Sequence, residues 1–347
     1  MKTAPALLSG LFLSLASHSI AHQDDHALYN FIPESSPILW NDNIPALYTF
    51  KDTQVGSSSW WSSSFLTGVN GKQYVALAHV LNVNTLIYYR GSTLDLQSGN
   101  YQQFITLGSA ADSAPRLEIV IDENRFESVA DDNISTLRAR AVGPNVDFDL
   151  VWDSASLIIA NGGTGGFVFG PGVTYQWSVP SSPTRGTIAI AGETIHVDPA
   201  RSLTWYDRQW GSTNEPPTGN WTWFELHVPE TEYKFSVWVI DNPATDQASR
   251  FATIRDGAGA HSVVPVVWSP HYARTYASEA SGRLYPLDWT VTVTGFGTFR
   301  VSSPVADQEM VGQGPLSTAY EGFVTFNGTL QSRAVTGYGI VEMVYGS

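Results

Sequence analysis

A chain with no sustained helical spacing must satisfy its backbone across strands, and beyond its N-terminal stretch this one has none. Short runs rich in Val, Ile, Thr, Tyr, Phe and Trp are instead separated by Gly, Pro, Asn, Asp and Ser. Residues 146–152, Val-Asp-Phe-Asp-Leu-Val-Trp, alternate as a half-buried strand does. Residues 74–81, 117–121, 233–240 and 289–293 continue the pattern, so the class is mostly β. No fixed-period repeat of a propeller or solenoid runs through it. Residues 160–172 are glycine-rich. With no Lys after Asn161-Gly162-Gly163-Thr164-Gly165-Gly166 and no helix signal, they read as a turn between strands, not a phosphate loop. The Pro/Ser break Val179-Pro180-Ser181-Ser182-Pro183-Thr184 is the expected seam between domains.

With 347 residues, 43% hydrophobic, the chain can bury a sizeable core in one large or two medium units. A net charge of −14 repels a phosphate backbone and argues against a nucleic-acid partner. Residues 1–21 read as a secretory signal: Lys2, an apolar stretch over 7–16, and Ser19-Ile20-Ala21 before a cleavage point. That stretch is too short to span a bilayer and no later one is longer, so no stable membrane insertion is expected. Sequons at Asn133, Asn220 and Asn327 fit a secreted glycoprotein. The chain has no Cys, which removes disulfides, thiol catalysis and thiolate metal sites. Its eight His show no metal-binding spacing, and no Gly-x-Ser-x-Gly elbow occurs. Neither a metal nor a cofactor is expected.

Aromatic residues number 12 Trp, 15 Tyr and 16 Phe, and they concentrate around ionisable groups in residues 204–211 and 220–227. If both segments are strands, Trp205, Asp207 and Gln209 share one face, and Tyr206, Arg208 and Trp210 the other. On the second strand Trp221, Trp223, Glu225 and His227 share a face. Two Trp, a carboxyl and an imidazole suit the inner wall of a barrel that encloses an apolar small molecule. Asp207, Glu225 and His227 are the candidate catalytic groups; a carboxyl among Trp rings has its pKa raised and can give up a proton near neutral pH. Trp61, His79, Trp205, Arg208, Trp210, Trp223, Tyr338 and Glu342 are candidate substrate contacts. Structural roles stay open beside these: ion pairing for Asp207 and Arg208, a core hydrogen bond for His79, strand closure for Tyr338 and Glu342.

The motifs Ser59-Trp60-Trp61 with His79, residues 198–211, Trp221-Thr222-Trp223-Phe224-Glu225, residues 250–255, residues 285–289, Asp307-Gln308-Glu309, Tyr320-Glu321-Gly322 and residues 337–342 follow one another in an order that resembles the kievitone hydratase-like proteins of fungi. The wider group takes in AttH-like proteins, hydroxyneurosporene synthases and fungal Diels–Alderases. The resemblance implies two consecutive lipocalin-like β-barrels, here 22–180 and 181–347. It implies a cofactor-free lyase of the hydratase kind acting on an apolar prenylated or polyketide metabolite. A pericyclase and a non-catalytic carrier are the alternatives, since fold does not fix chemistry.

Overall fold

In the computed structural model the described residues are 28–36, 57–83, 86–109, 116–170, 172–211, 219–229, 231–242, 246–312 and 318–345. The signal stretch lies outside them. Among them strands dominate and the only helical turns are two short 3-10 segments, Asn161–Gly163 and Pro199–Arg201. No helix among them is long and apolar enough to cross a membrane.

The first sheet holds β1 (Ser58–Thr67), β2 (Gln73–Val83), β3 (Leu86–Asp95), β4 (Tyr101–Ser109), β5 (Glu118–Ile121), β6 (Asn124–Ser128), β7 (Thr136–Gly143), β8 (Val146–Asp153), β9 (Ile159–Ala160), β10 (Gly166–Phe169), β11 (Gly172–Ile190), β12 (Glu193–His196) and β13 (Leu203–Gly211). Its order is β4-β3-β2-β1-β13-β11-β8-β7-β6-β5. The end strands come together where Gly108 of β4 meets Ile121 of β5, so the barrel nearly closes. The second sheet holds β14 (Asn220–His227), β15 (Lys234–Asn242), β16 (Gln247–Arg255), β17 (His261–Ala277), β18 (Leu284–Val293), β19 (Gly297–Ser302), β20 (Glu309–Met310), β21 (Ala319–Leu330) and β22 (Arg333–Tyr345). Here β19 pairs with β21 as well as β18, which closes the ring. The fold is almost all β, two lipocalin-like barrels in sequence.

The chain changes sheets later than the Pro/Ser break indicates. Residues 180–183 lie inside β11, at the register shift between Val179 and Ser182. Before the shift β11 pairs with β13 and the short strands β9 and β10; beyond it the pairing with β13 ends at Pro183, and β8 and β12 become its partners. The prolines bend one long strand because a ring nitrogen cannot donate to the ladder. β13 still belongs to the first sheet, so the passage between barrels falls between Gly211 and Asn220. The expected boundary at 180/181 is corrected accordingly.

Each barrel is filled by its own side chains. Tyr89, Phe126, Phe148, Trp152, Trp177 and Tyr206 pack inside the first. Phe224, Phe235, Tyr285, Trp289, Phe299 and Tyr320 pack inside the second. A third cluster, with Phe31, Trp61, Phe65, Trp205, Trp223, Trp238, Phe323 and Tyr338, lies between them. Alternation sends Trp61, Ser63 and Phe65 of β1 and Trp205 and Asp207 of β13 out of the first barrel. It sends Trp223, Glu225 and His227 of β14 out of the second. The shared faces are those expected, but they line a seam between two barrels and not the inside of either.

Candidate active site between the barrels

Register builds each wall of the seam. On the first sheet Asp207, Trp61, His79 and Arg90 are direct neighbours across β13, β1, β2 and β3. On the second, Trp238, Trp223, Glu342 and Glu321 are neighbours across β15, β14, β22 and β21. The rows meet where the Trp61 and Trp223 rings contact edge to face, 5.2 Å apart. Beside this contact opens a cavity. Trp61, Leu81, Phe169, Trp221, Trp223 and Trp238 make its apolar walls; Ser59, His79, Arg90, Gln176, Asp207 and Glu342 are its polar points.

Asp207 is held by Trp205 Nε1 at 2.7 Å and Gln176 Nε2 at 2.8 Å. Burial pushes its carboxyl up to about 7, against the pull of these donors and of Ser178, and the charge of Glu342 adds to the rise. Gln176, itself buried, keeps an Oε1 with no partner among the described residues. Across the cavity Glu342 accepts from Trp221 Nε1 at 2.5 Å. Behind it sits Glu321, its carboxyl raised well above the usual range by burial first and by Glu342 second. Arg90 Nη1 approaches Glu321 to 4.0 Å. His79 Nδ1 lies 2.6 Å from Arg90 Nη2, and its Nε2 lies 2.9 Å from Ser59 Oγ.

His79, Glu321 and Glu342 bring ligand-capable atoms within 4.8 Å of one another. They do not form a good metal cage, because both imidazole nitrogens are already engaged and a guanidinium stands where a cation would bind.

Of the residues singled out in the sequence, Trp61, His79, Asp207, Trp210, Trp223 and Glu342 line the cavity. Trp205 lies one layer behind, holding Asp207. Arg208 does not reach the cavity. It turns to the other face of β13, with its guanidinium 4.1 Å from the Trp60 ring centre and bonded to the Ser59 carbonyl at 3.0 Å. Glu225 is sealed off: Ser63 Oγ donates to its Oε1 at 2.5 Å, and burial holds the carboxyl well above its usual range. His227 and Tyr338 stack on each other 5.1 Å apart, away from the cavity and beside a second hollow lined by Asn30, Glu34 and Lys234. Burial, then Lys234 and Arg255, keep His227 neutral. Arg90 and Gln176 are not distinguished by the sequence, and Glu321 stands out there only within the Tyr320-Glu321-Gly322 motif, with no role of its own. Glu321 had a signal there, since it sits opposite Glu342 once β21 and β22 are paired.

The glycine-rich segment is more than a turn. Ala160 N donates to His261 Nε2, Gly162 N to Thr253 Oγ1 and Gly170 N to Gln247 Oε1, so it fastens the first barrel to the second. It also delivers Phe169 to the cavity, against Trp221 and Trp238.

A family model described as AttH-like matches residues 94–346. Kievitone hydratase of Fusarium solani subsp. phaseoli is 47% identical over 348 residues, spanning 99% of this chain and 98% of that protein. The chain belongs to the AttH-like family. Dehydratase asqC of Emericella nidulans is 36% identical over 344 residues, 95% of this chain and 98% of that one. The crystal structure of kievitone hydratase from Nectria haematococca superposes with a TM-score of 0.87 at 44% identity, covering 91% of this chain and 98% of that one. The AttH-like protein described here is therefore an enzyme of the lyase kind, hydratase-like.

Proposed function

We propose that this enzyme adds water across an alkene of an apolar prenylated or polyketide secondary metabolite, with no cofactor. The observation that carries this reading is the pair of carboxyl groups, Asp207 and Glu342, on opposite walls of one tryptophan-lined cavity. With a pKa near 7, Asp207 is poised to donate a proton at neutral pH. Its proton goes to the less substituted alkene carbon, and the π electrons form the new C–H bond. The tertiary cation left behind lies among the Trp61, Trp223 and Trp238 rings, whose faces stabilise positive charge. A water molecule attacks the cation, the C–O bond forms, and Glu342 takes the proton released. Solvent then restores the proton on Asp207 and removes the one on Glu342. Run backwards, the same steps expel water, which unites the hydratase and dehydratase names of the two relatives.

The test is mass spectrometry of a prenylated substrate, kievitone first, incubated with the enzyme in heavy-oxygen water. Hydration gives a product heavier by one labelled water. An isomer of unchanged mass would mean cyclisation, and unchanged ligand a carrier; either result sinks the proposal.

We also propose export through the secretory route. The N-terminal pattern over 1–21 supports it, as does the exposure of Asn220 and Asn327. Asn133 is half-buried, with its Oδ1 accepting from Leu117 N at 2.7 Å, so glycans are expected on the other two. Glycosidase treatment of the secreted protein should remove at most two.

A further inference from the structure

The hydration steps leave Ser59 without a task, yet its hydroxyl ends an ordered chain of hydrogen bonds. Arg90 Nη2 lies 2.6 Å from His79 Nδ1, and His79 Nε2 lies 2.9 Å from Ser59 Oγ. A guanidinium has only donors to offer. Nδ1 must therefore accept, which puts the one proton of the neutral imidazole on Nε2. That N–H donates to Ser59 and takes up one lone pair of its oxygen. The serine's own O–H is left to point elsewhere, and Ser59 lines the cavity. Burial first, and the charge of Arg90 second, hold the His79 pKa well below the usual range, so this tautomer persists at working pH.

We propose that Ser59 is a fixed hydrogen-bond donor for one carbonyl oxygen of the substrate, aimed by the Arg90–His79 pair, so that the cavity selects metabolites carrying a carbonyl as well as an alkene. The proposal rests on the cavity being the site of hydration. Most of the wall is apolar, and an apolar wall lets a ligand slide. A single oriented donor fixes the register of the alkene against Asp207. A carboxylate at this place would meet the charge of Glu342, whereas a neutral carbonyl would not. A site built to bond an oxygen also rejects an analogue lacking it, because the buried donor is then left unpaired.

Binding tests this without relying on turnover. Cavity tryptophans Trp61, Trp221, Trp223 and Trp238 provide a fluorescence signal. The full chain, with Ser59→Ala and Ser59→Thr variants, is titrated with a prenylated flavanone and with the matching flavan, whose ring carbonyl is replaced by CH2. We expect Ser59→Ala to weaken flavanone binding about five- to tenfold, the range of one net hydrogen bond. Ser59→Thr should restore it, and flavan binding should not change. Equal losses for both ligands, or no loss for the flavanone, would overturn the assignment. If wild type binds neither ligand, the assignment falls together with the proposed function. If wild type discriminates as expected but adds no water to either ligand, hydration alone is overturned.

Discussion

Four carboxyl groups crowd the seam, and their surroundings assign them different work. Asp207 meets the cavity, while Glu225 and Glu321 are buried behind its wall with their carboxyls held neutral. Replacing Asp207 by Asn keeps the size and the hydrogen bonds from Trp205 and Gln176 but removes the proton. Activity should fall about 10²–10⁴-fold, the usual worth of a general acid, with substrate binding retained. Glu225→Gln should stay within a few-fold of wild type, because Ser63 already seals that side chain from substrate; a loss matching that of Asp207→Asn would move the acid to Glu225. As the acid must be protonated, kcat/KM should fall as pH rises through about 7. A pH–rate profile flat across that range would contradict the assignment.

At the scale of strands, the Gly-Tyr-Gly run of β22 has a plain cause. A Cβ on Gly339 would lie 1.8 Å from the Glu225 carbonyl oxygen, and one on Gly337 2.1 Å from that of His227. β14 and β22 approach so closely there that only glycine fits. Gly339→Ala should force them apart and cost about 1–3 kcal/mol, the range for overpacking, read as a lower midpoint in denaturant unfolding. Phe169→Ala should leave both barrels intact yet widen the cavity, raising KM more than it lowers kcat. Strand alternation in the sequence already sorted Trp223, Glu225 and His227 onto one face and Phe224 and Leu226 onto the other. What lay opposite that face was not legible, because it depends on β1 joining β13 and β14 joining β22, pairings between distant residues that no local pattern encodes. For the same reason Arg208, beside Asp207 in sequence, read as a site residue although the next residue of a strand points the opposite way. The Pro/Ser run was legible as an interruption, but a bend within a strand and a break between domains carry the same residues.

Over the whole molecule, the buried titratable groups set how stability depends on pH, and their signs oppose one another. Asp207, Glu225 and Glu321 have raised carboxyls. A raised pKa means that the folded state binds a proton the unfolded chain has lost, so each contributes stability at low pH that disappears as pH rises through its folded value. His79, His227 and His261 are lowered. Each contributes stability above the ordinary histidine value of 6.5 and loses it as pH falls below that point. Between about 4.5 and 6.5 the two sets cancel, since the folded protein holds protons on carboxyls while the unfolded chain holds them on imidazoles. Above that window the raised carboxyls make stability fall as pH rises, until the lowered Lys234 and Arg208 oppose them at alkaline pH. Below it the histidines dominate, joined by Glu34, whose carboxyl is lowered by Lys234 at 2.8 Å and Arg255 at 2.7 Å against the opposing effect of burial. Glu34 ties the N-terminal segment 28–36, with Phe31 packed in the seam, to the second barrel. Protonating it leaves two buried cations without a partner, a change that costs about 3–5 kcal/mol when a buried pair is broken. Denaturant unfolding measured from pH 3 to 9 should therefore show a broad maximum in mild acid. Glu34→Gln should lower that maximum and flatten the acid limb. A wild-type maximum above pH 8 would mean that the seam carboxyls are ionised in the folded protein, and would remove Asp207 as a proton donor at neutral pH.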